Sequence, residues 1–416
     1  MNILVIGYVW PEPASSAAGY RMLALLDAFR AQNWQVTFAS PAEKSIHRTD
    51  LPARGIREVN IALNCSSFDE FICDLKPDLV MFDRFMMEEQ FGWRVEKCCP
   101  QAIRLLDTED LSCLRHARHQ ASKQSGQVEL DVPAELLYSD LAKREIAAIL
   151  RSDLTLMISG AEIELLTQTF NVDPNLLLNS PFMQQPVLPA QQQQLPSFGQ
   201  RQHFIVIGNF RHAPNWDAVL WLKQTIWPRI RARLTEAELH IYGAYPPPKA
   251  TQLHSPTQGF FIKGWAEDVN LVMQQARVNL APLRFGAGLK GKLVDALACG
   301  TPSVTTSVGA EGMAAEQHWP QPVEDNAEQF ADMAVALYTQ PEPWLEYQQQ
   351  GFTLHNLRFD FARHADALIE RILKLKRELD SHRLANFTGA MLRHHSMKST
   401  QYMAQWIEAK NRKIDS

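Results

Sequence analysis

No window of this 416-residue chain approaches the roughly 18 uninterrupted apolar residues that a membrane span needs. There is no basic excess either: 41 Lys and Arg stand against 46 Asp and Glu, a formal charge of −5. That balance argues against a nucleic-acid binder but leaves room for a local basic pocket. The six cysteines, at 65, 73, 98, 99, 113 and 299, lack zinc-type spacing and are too few for a disulfide framework, so reduced, mostly buried thiols are expected. The opening MNILVIGYVWPEP has no basic n-region; it reads as a strand and a turn rather than a signal peptide. The loop after that strand lacks G-x-G-x-x-G, which sets aside a dinucleotide dehydrogenase, and no G-x-S-x-G nucleophile motif occurs. A soluble, cytoplasmic chain is expected, with peripheral contact at the inner face of a membrane left open.

Apolar content is 46%, enough to build more than one core, and the length favours two domains. Short apolar runs alternate with helical patterns: ILVI (3–6), QVTFA (35–39), DLVMF (78–82), IRLL (103–106) and LTLMIS (154–159), with helices over 19–32 and 134–150. Near-continuous apolar strands alternating with helices predict an α/β fold whose parallel sheet is covered on both faces. A Gln- and Pro-rich stretch then interrupts the pattern, and FIVIG (204–208) restarts it, followed by LHIY, FFIK, VNLA and SVTT. Expected helices between them lie at about 215–232, 267–276, 290–298 and 326–339. The expected boundaries are a first domain over 1–186, a linker over 187–202, a second domain over 203–358 and helices over 359–416. Trp406 in the last helix is costly to leave exposed and is expected to pack.

Four turns beyond strand ends carry chemistry, because open parallel sheets bind ligands there. The strongest is RFGAGLKGKLVDALACG (284–300). Its glycines allow close approach to backbone, its lysines Lys290 and Lys292 add charge, and the helix N-terminus adds unpaired N–H groups. Asp295 follows on that helix, where a carboxylate suits ribose hydroxyls. An ordinary glycine turn with solvated lysines is the competing reading. In the second turn, Ser15 to Gly19 are small enough to let phosphate or sugar approach, or they simply cap a helix. In the third, Arg211 offers a fork of donors for phosphate beside His212. In the fourth, Asp107, Glu109 and Asp110 offer hydroxyl ligands or a general base. Alternatively Thr108 and Asp110 cap the next helix while Arg104 and Arg115 pair with the acids.

The pieces GNFRHAPNWDA, HIYGAYPPP, FIKGWAED and NLAPLRFGAGLKGKLVDALACGTPSVTTSVGAEGM resemble, in order and spacing, the nucleotide-sugar domain of retaining glycosyltransferases of the GT-B fold, family 4 (glycosyl transferases group 1). DLVMFDRF and REIAAILRSDLTLMISGAE resemble the first domain more weakly. The resemblance implies two Rossmann-like αβα domains facing across a cleft, with the C-terminal helices crossing back to the first and giving Trp406 its home. It assigns diphosphate binding to Arg211 and Lys290, with Lys292 nearby, and ribose binding to Asp295. Ala287 stands where the family usually has a glutamate, so backbone N–H groups of Ala287, Gly288 and Leu289 are expected to take the donor sugar. Glu109 aligns near the family's histidine, with Asp110 a competing candidate. Gly19 matches the loop near the diphosphate, and Gly264 and Trp265 the segment that holds the base. The implied activity is retaining transfer, needing no metal or other cofactor, from a nucleotide diphosphate sugar to a glycan, lipid-linked or protein acceptor. A catalytically silent GT-B scaffold, a phosphorylase or a nucleotide-sugar epimerase are the alternatives.

Overall fold

In the computed structural model, which describes residues 1–314 and 318–412, strands β1 (Asn2–Ile6), β2 (Gln35–Ser40), β3 (Arg57–Asn60), β4 (Leu79–Asp83), β5 (Ile103–Asp107), β6 (Leu154–Met157) and β7 (Leu177–Asn179) form one sheet in the order β3-β2-β1-β4-β5-β6-β7. Every pairing in it is parallel. The pleat explains the unbroken apolar strands. In β1, Ile3 and Val5 enter the core on one face while Leu4 and Ile6 enter the core on the other.

Strands β8 (Gln202–Ile207), β9 (Leu239–Tyr242), β10 (Phe260–Gly264), β11 (Ala276–Ala281) and β12 (Ser303–Thr305) form a second parallel sheet, ordered β10-β9-β8-β11-β12. In both sheets the strand order reverses beside the first strand of the domain, between β1 and β4 and between β8 and β11. A crevice opens at the carboxyl end of such a switch point.

Several elements depart from the expectation. Strand β3 is the polar edge strand REVN and β7 has three residues, so neither carries a hydrophobic run. The single helix expected over 134–150 is two, Ala134–Leu137 and Asp140–Arg151, divided where Ser139 accepts a hydrogen bond from the Ala142 N–H and restarts the turn. The helix running from Ala213 to Arg233 holds one π-turn over Leu222–Ile226, just ahead of Pro228, which has no N–H to continue the ladder. Of the six free cysteines only Cys113 and Cys299 are buried, because the other four sit on peripheral elements of the first domain.

The C-terminal helices do cross back. Gln184 and the segment after Arg358 zip together, Gln184 N–H to Phe359 O at 2.7 Å and Phe361 N–H to Gln184 O at 2.9 Å. Helix Phe361–Ala385 then buries Leu368, Ile372 and Leu375 in the first domain's core. It is anchored where Arg383 donates to Asp153 at 2.7 and 2.8 Å. Helix Phe387–Arg412 lies on helices Phe85–Cys98 and Asp140–Arg151. Trp406 does not pack as expected: it is 59% exposed. The inward residue is Ala404, against Trp93, and a residue two further along a helix points away from it. Among the described residues no helix is long and apolar enough to cross a membrane.

Candidate active site

A cleft of about 1430 Å³ separates the carboxyl ends of the two sheets. Its first-domain wall is built from the loop after β1, the ends of β4 and β5, and the start of helix Ala17–Ala31; its second-domain wall from the loops after β8 to β11 and helix Gly291–Ala298. Ser16 caps helix Ala17–Ala31 by accepting from the Gly19 N–H at 3.0 Å. Gly19 has a local reason to be glycine: a Cβ there would lie 2.5 Å from the Glu12 carbonyl. Gly291 has an interdomain one, since its Cβ would meet the Ala17 Cβ at 2.4 Å. The N-termini of two helices, one per domain, therefore meet in this cleft. The run Gly286–Gly291 does spell G-x-G-x-x-G, but it follows β11, not the first strand of its domain where a dinucleotide fingerprint lies.

Lys290 is the residue before helix Gly291–Ala298, and its Nζ donates to Ala287 O at 3.1 Å and Gly288 O at 2.5 Å. Burial pulls its ammonium down to about 8. Lys292 donates to Asn215 Oδ1 at 2.6 Å and is pulled to about 7, by desolvation first and then by Lys290. Arg211 lines the same cleft, its guanidinium 3.8 Å above the Tyr245 ring. Tyr245 reaches across to Glu12 at 2.9 Å. Asp295 lines the cleft about one turn into helix Gly291–Ala298; Gln184 donates to it at 3.2 Å and desolvation pushes its carboxyl up to about 6. Gly264 needs its positive φ of 78°, and Trp265 stacks on His47 at 4.4 Å at the rim.

The expected trio of backbone donors is not available as drawn. The Gly288 N–H is already bonded, at 2.9 Å, to Glu162 of the first domain. The side chains of Ala287 and Leu289 face the core, the first packing into the first domain's cluster. The turn is closed from outside by a carboxylate that the sequence reading did not single out.

The acidic loop after β5 sorts its members. Asp107 is fully buried and takes both oxygens' worth of Arg21, at 2.5 and 2.6 Å. Asp110 is paired with Arg115, which holds its carboxyl below the usual range despite burial. Glu109 is left: its nearest cation is Arg21 at 4.0 Å, and among the described residues its carboxyl makes no hydrogen bond. Burial, then Asp107, push it well above the ordinary carboxylate range. Its φ is +62°, as Arg84's at the end of β4 is +71°, and left-handed non-glycine residues concentrate where function fixes them. Capping does not account for the loop. The helix that follows begins after Leu111 without a side-chain cap from Thr108 or Asp110, and Glu145 takes the Ser112 and Cys113 N–H groups at 3.0 and 2.9 Å. Arg104 pairs elsewhere, with Glu96 and Asp153.

Besides Glu162, Arg118 and Glu311 were missed. Arg118 forks onto Glu311 at 2.6 and 2.7 Å and donates to Gly286 O at 2.9 Å, pinning the glycine turn to the first domain. Arg118 lies on helix Ser112–Ser125, whose mostly polar sequence gave no helical signal. Glu162 had a signal, the S-x-x-E of Ser159 to Glu162, which read alone is a capping box.

Residues 201–340 match the family model described as Glycosyl transferases group 1. Sucrose-phosphate synthase from Thermosynechococcus elongatus superposes with a TM-score of 0.66 at 16% identity, over 92% of this chain and 99% of that one. HepE of Anabaena, solved with UDP and glucose, superposes at 0.64 and 12% identity over 90% and 100%. WaaG, a glycosyltransferase involved in lipopolysaccharide biosynthesis, superposes at 0.58 and 11% over 88% and 98%. No curated protein matches by sequence. The architecture is therefore GT-B. The second domain is a glycosyl transferases group 1 domain, as the motifs in 200–340 implied.

Proposed function

We propose that this chain moves a sugar, with retention of configuration, from a nucleoside diphosphate sugar seated on the second domain to a hydroxyl of a glycan, lipid-linked or protein acceptor on the first. The observation that carries this is the meeting, in one cleft, of Lys290, Lys292, Arg211 and the N-terminus of helix Gly291–Ala298 with the carboxyl of Glu109, 4.0 Å from Arg21, opposite. The sugar–phosphate C1–O bond breaks and its electron pair leaves with the diphosphate. The acceptor oxygen bonds to C1 on the same face, and its proton passes to a departing phosphate oxygen. Fixed cations and N–H groups aimed at that developing charge lower the barrier, and the closed cleft strengthens them by excluding water. Three protein cations suit this role without a resident metal. Glu109, whose carboxyl burial and Asp107 push well above the ordinary range, orients the acceptor or the reacting sugar by hydrogen bonding, and Asp295 takes the ribose. HepE, of the same fold, was solved with UDP and glucose, which supports a uracil nucleotide as the first to try.

Calorimetry with UDP, GDP and dTDP, followed by sugar-nucleotide turnover in EDTA, tests this reading. One nucleotide is expected to bind, and its sugar nucleotide to be consumed at an unchanged rate in chelator. A silent scaffold binds none of them; an epimerase converts the donor with no acceptor present. Either result overturns the proposal.

A further inference from the structure

We infer that Glu162 is a positioning residue that ties the acceptor-side loop of the first domain to the donor turn of the second through one carboxyl oxygen. Its Oε1 accepts from the Leu111 N–H at 2.9 Å and from the Gly288 N–H at 2.9 Å. Leu111 ends the loop that carries Glu109, and Gly288 lies in the turn that leads to Lys290. The two loops already touch: a Cβ on Gly288 would lie 2.8 Å from the Asp110 Cβ and 3.2 Å from Ile158 Cγ2, and its φ is +63°. Only glycine fits there. Glu162 is 1% exposed, and among the described residues its Oε2 has no hydrogen-bond partner.

A buried ionised carboxylate with one oxygen unpaired would be costly, but a neutral carboxyl avoids most of that cost while Oε1 still accepts two bonds. Desolvation, then the neighbouring Asp110, push the carboxyl up to about 8 against the opposing pull of the Leu111 N–H and Lys290, with Glu311 also raising it. Arg118 holds the same turn from a second point, through Gly286 O and Glu311. Because one atom receives both N–H groups, the loop bearing Glu109 and the turn bearing Lys290 shift together. This meaning for catalysis rests on the function proposed above; the bridge itself does not.

The test measures hydrogen exchange on the whole chain, following peptides over 107–112 and 284–290 with β8 as the internal reference, in wild type, Glu162→Gln and Glu162→Ala. Native-state exchange reads local opening separately from global unfolding. Glu162→Ala is expected to raise exchange about tenfold or more in both segments together, as expected for loss of a shared buried bond, and to leave β8 unchanged. Glu162→Gln, neutral and still an acceptor at Oε1, is expected to match wild type. In donor kinetics Glu162→Ala is expected to lower kcat at least about tenfold, and Glu162→Gln to restore it. Glu162→Asp, one methylene too short to span both N–H groups, serves if the alanine variant does not fold. The inference fails if only one segment or neither responds, if β8 loosens equally, or if Glu162→Gln behaves like Glu162→Ala. A wild type that consumes no sugar nucleotide sinks the functional reading, while the exchange result still decides the bridge.

Discussion

Replacing Lys290 with Met keeps the side-chain stem and deletes only the ammonium. In the unliganded protein two effects oppose each other. The variant loses the bonds to Ala287 O and Gly288 O, each worth about 1.5–3 kcal/mol when the donor is charged. It also loses the burden of holding a buried charge. The ammonium falls from its ordinary 10.5 to about 8, a penalty on the charged form of roughly 3 kcal/mol. Two such bonds outweigh that penalty by at most about 3 kcal/mol, so Tm is expected to fall by no more than roughly 10 degrees. With a diphosphate bound nothing offsets the loss: one charge-assisted contact of about 1.5–3 kcal/mol corresponds to a drop in kcat/KM of roughly 10- to 150-fold. Initial rates with the donor that the wild type consumes, alongside thermal melting, read both quantities. A kcat/KM within about threefold of wild type, with Tm intact, removes Lys290 from the diphosphate site. A collapse in Tm refutes that bound and makes the lysine a brace of its own turn.

The pH profile of wild-type donor KM should rise above about pH 7–8, because Lys292 and Lys290, lowered to about 7 and 8, lose their charge there; a flat profile to pH 9 contradicts the assignment. Asp295→Asn is expected to weaken nucleotide binding about tenfold by calorimetry without lowering Tm. Its carboxyl is raised to about 6, so the aspartate's contribution to stability is lost as pH rises through that value, and asparagine relieves the burial of charge; a large fall in Tm would assign Asp295 to structure. Asp153→Ala leaves Arg104 and Arg383 facing an empty place in the first domain and should cost about 3–5 kcal/mol in chemical denaturation. Asp153 is held below its ordinary 3.8, chiefly by Arg383 against the effect of burial. Its stabilisation is therefore present above that value and lost as pH falls below it, a limb that Asp153→Asn should flatten.

Much of the scaffold was legible because its signals are local. ILVI, DLVMF and FIVIG are strands because unbroken β-prone apolar runs have a place only in a sheet covered on both faces. The crossing back of the C-terminal helices, with Leu368, Ile372 and Leu375 turned inward, came from the family resemblance. The places where reading failed are those where pattern is weak: the polar edge strand REVN, the polar helix that carries Arg118, and Trp406, whose exposure depends on Ala404 facing Trp93.

The sequence by itself determined the alternation of strands and helices and the glycine turn with its lysines, since spacing and backbone freedom are properties of neighbours along the chain. Only the tertiary structure decided which groups remain free to act. Three acids at the end of β5 look alike in sequence; Arg21, arriving from helix Ala17–Ala31, takes Asp107, while Arg115, early in the next helix, takes Asp110, and Glu109 is left 4.0 Å from its nearest cation. The Gly288 N–H looks free in sequence and is taken by a carboxyl 126 positions away. Electrostatic and hydrogen-bond partners act over a few ångströms of space, whatever their separation along the chain.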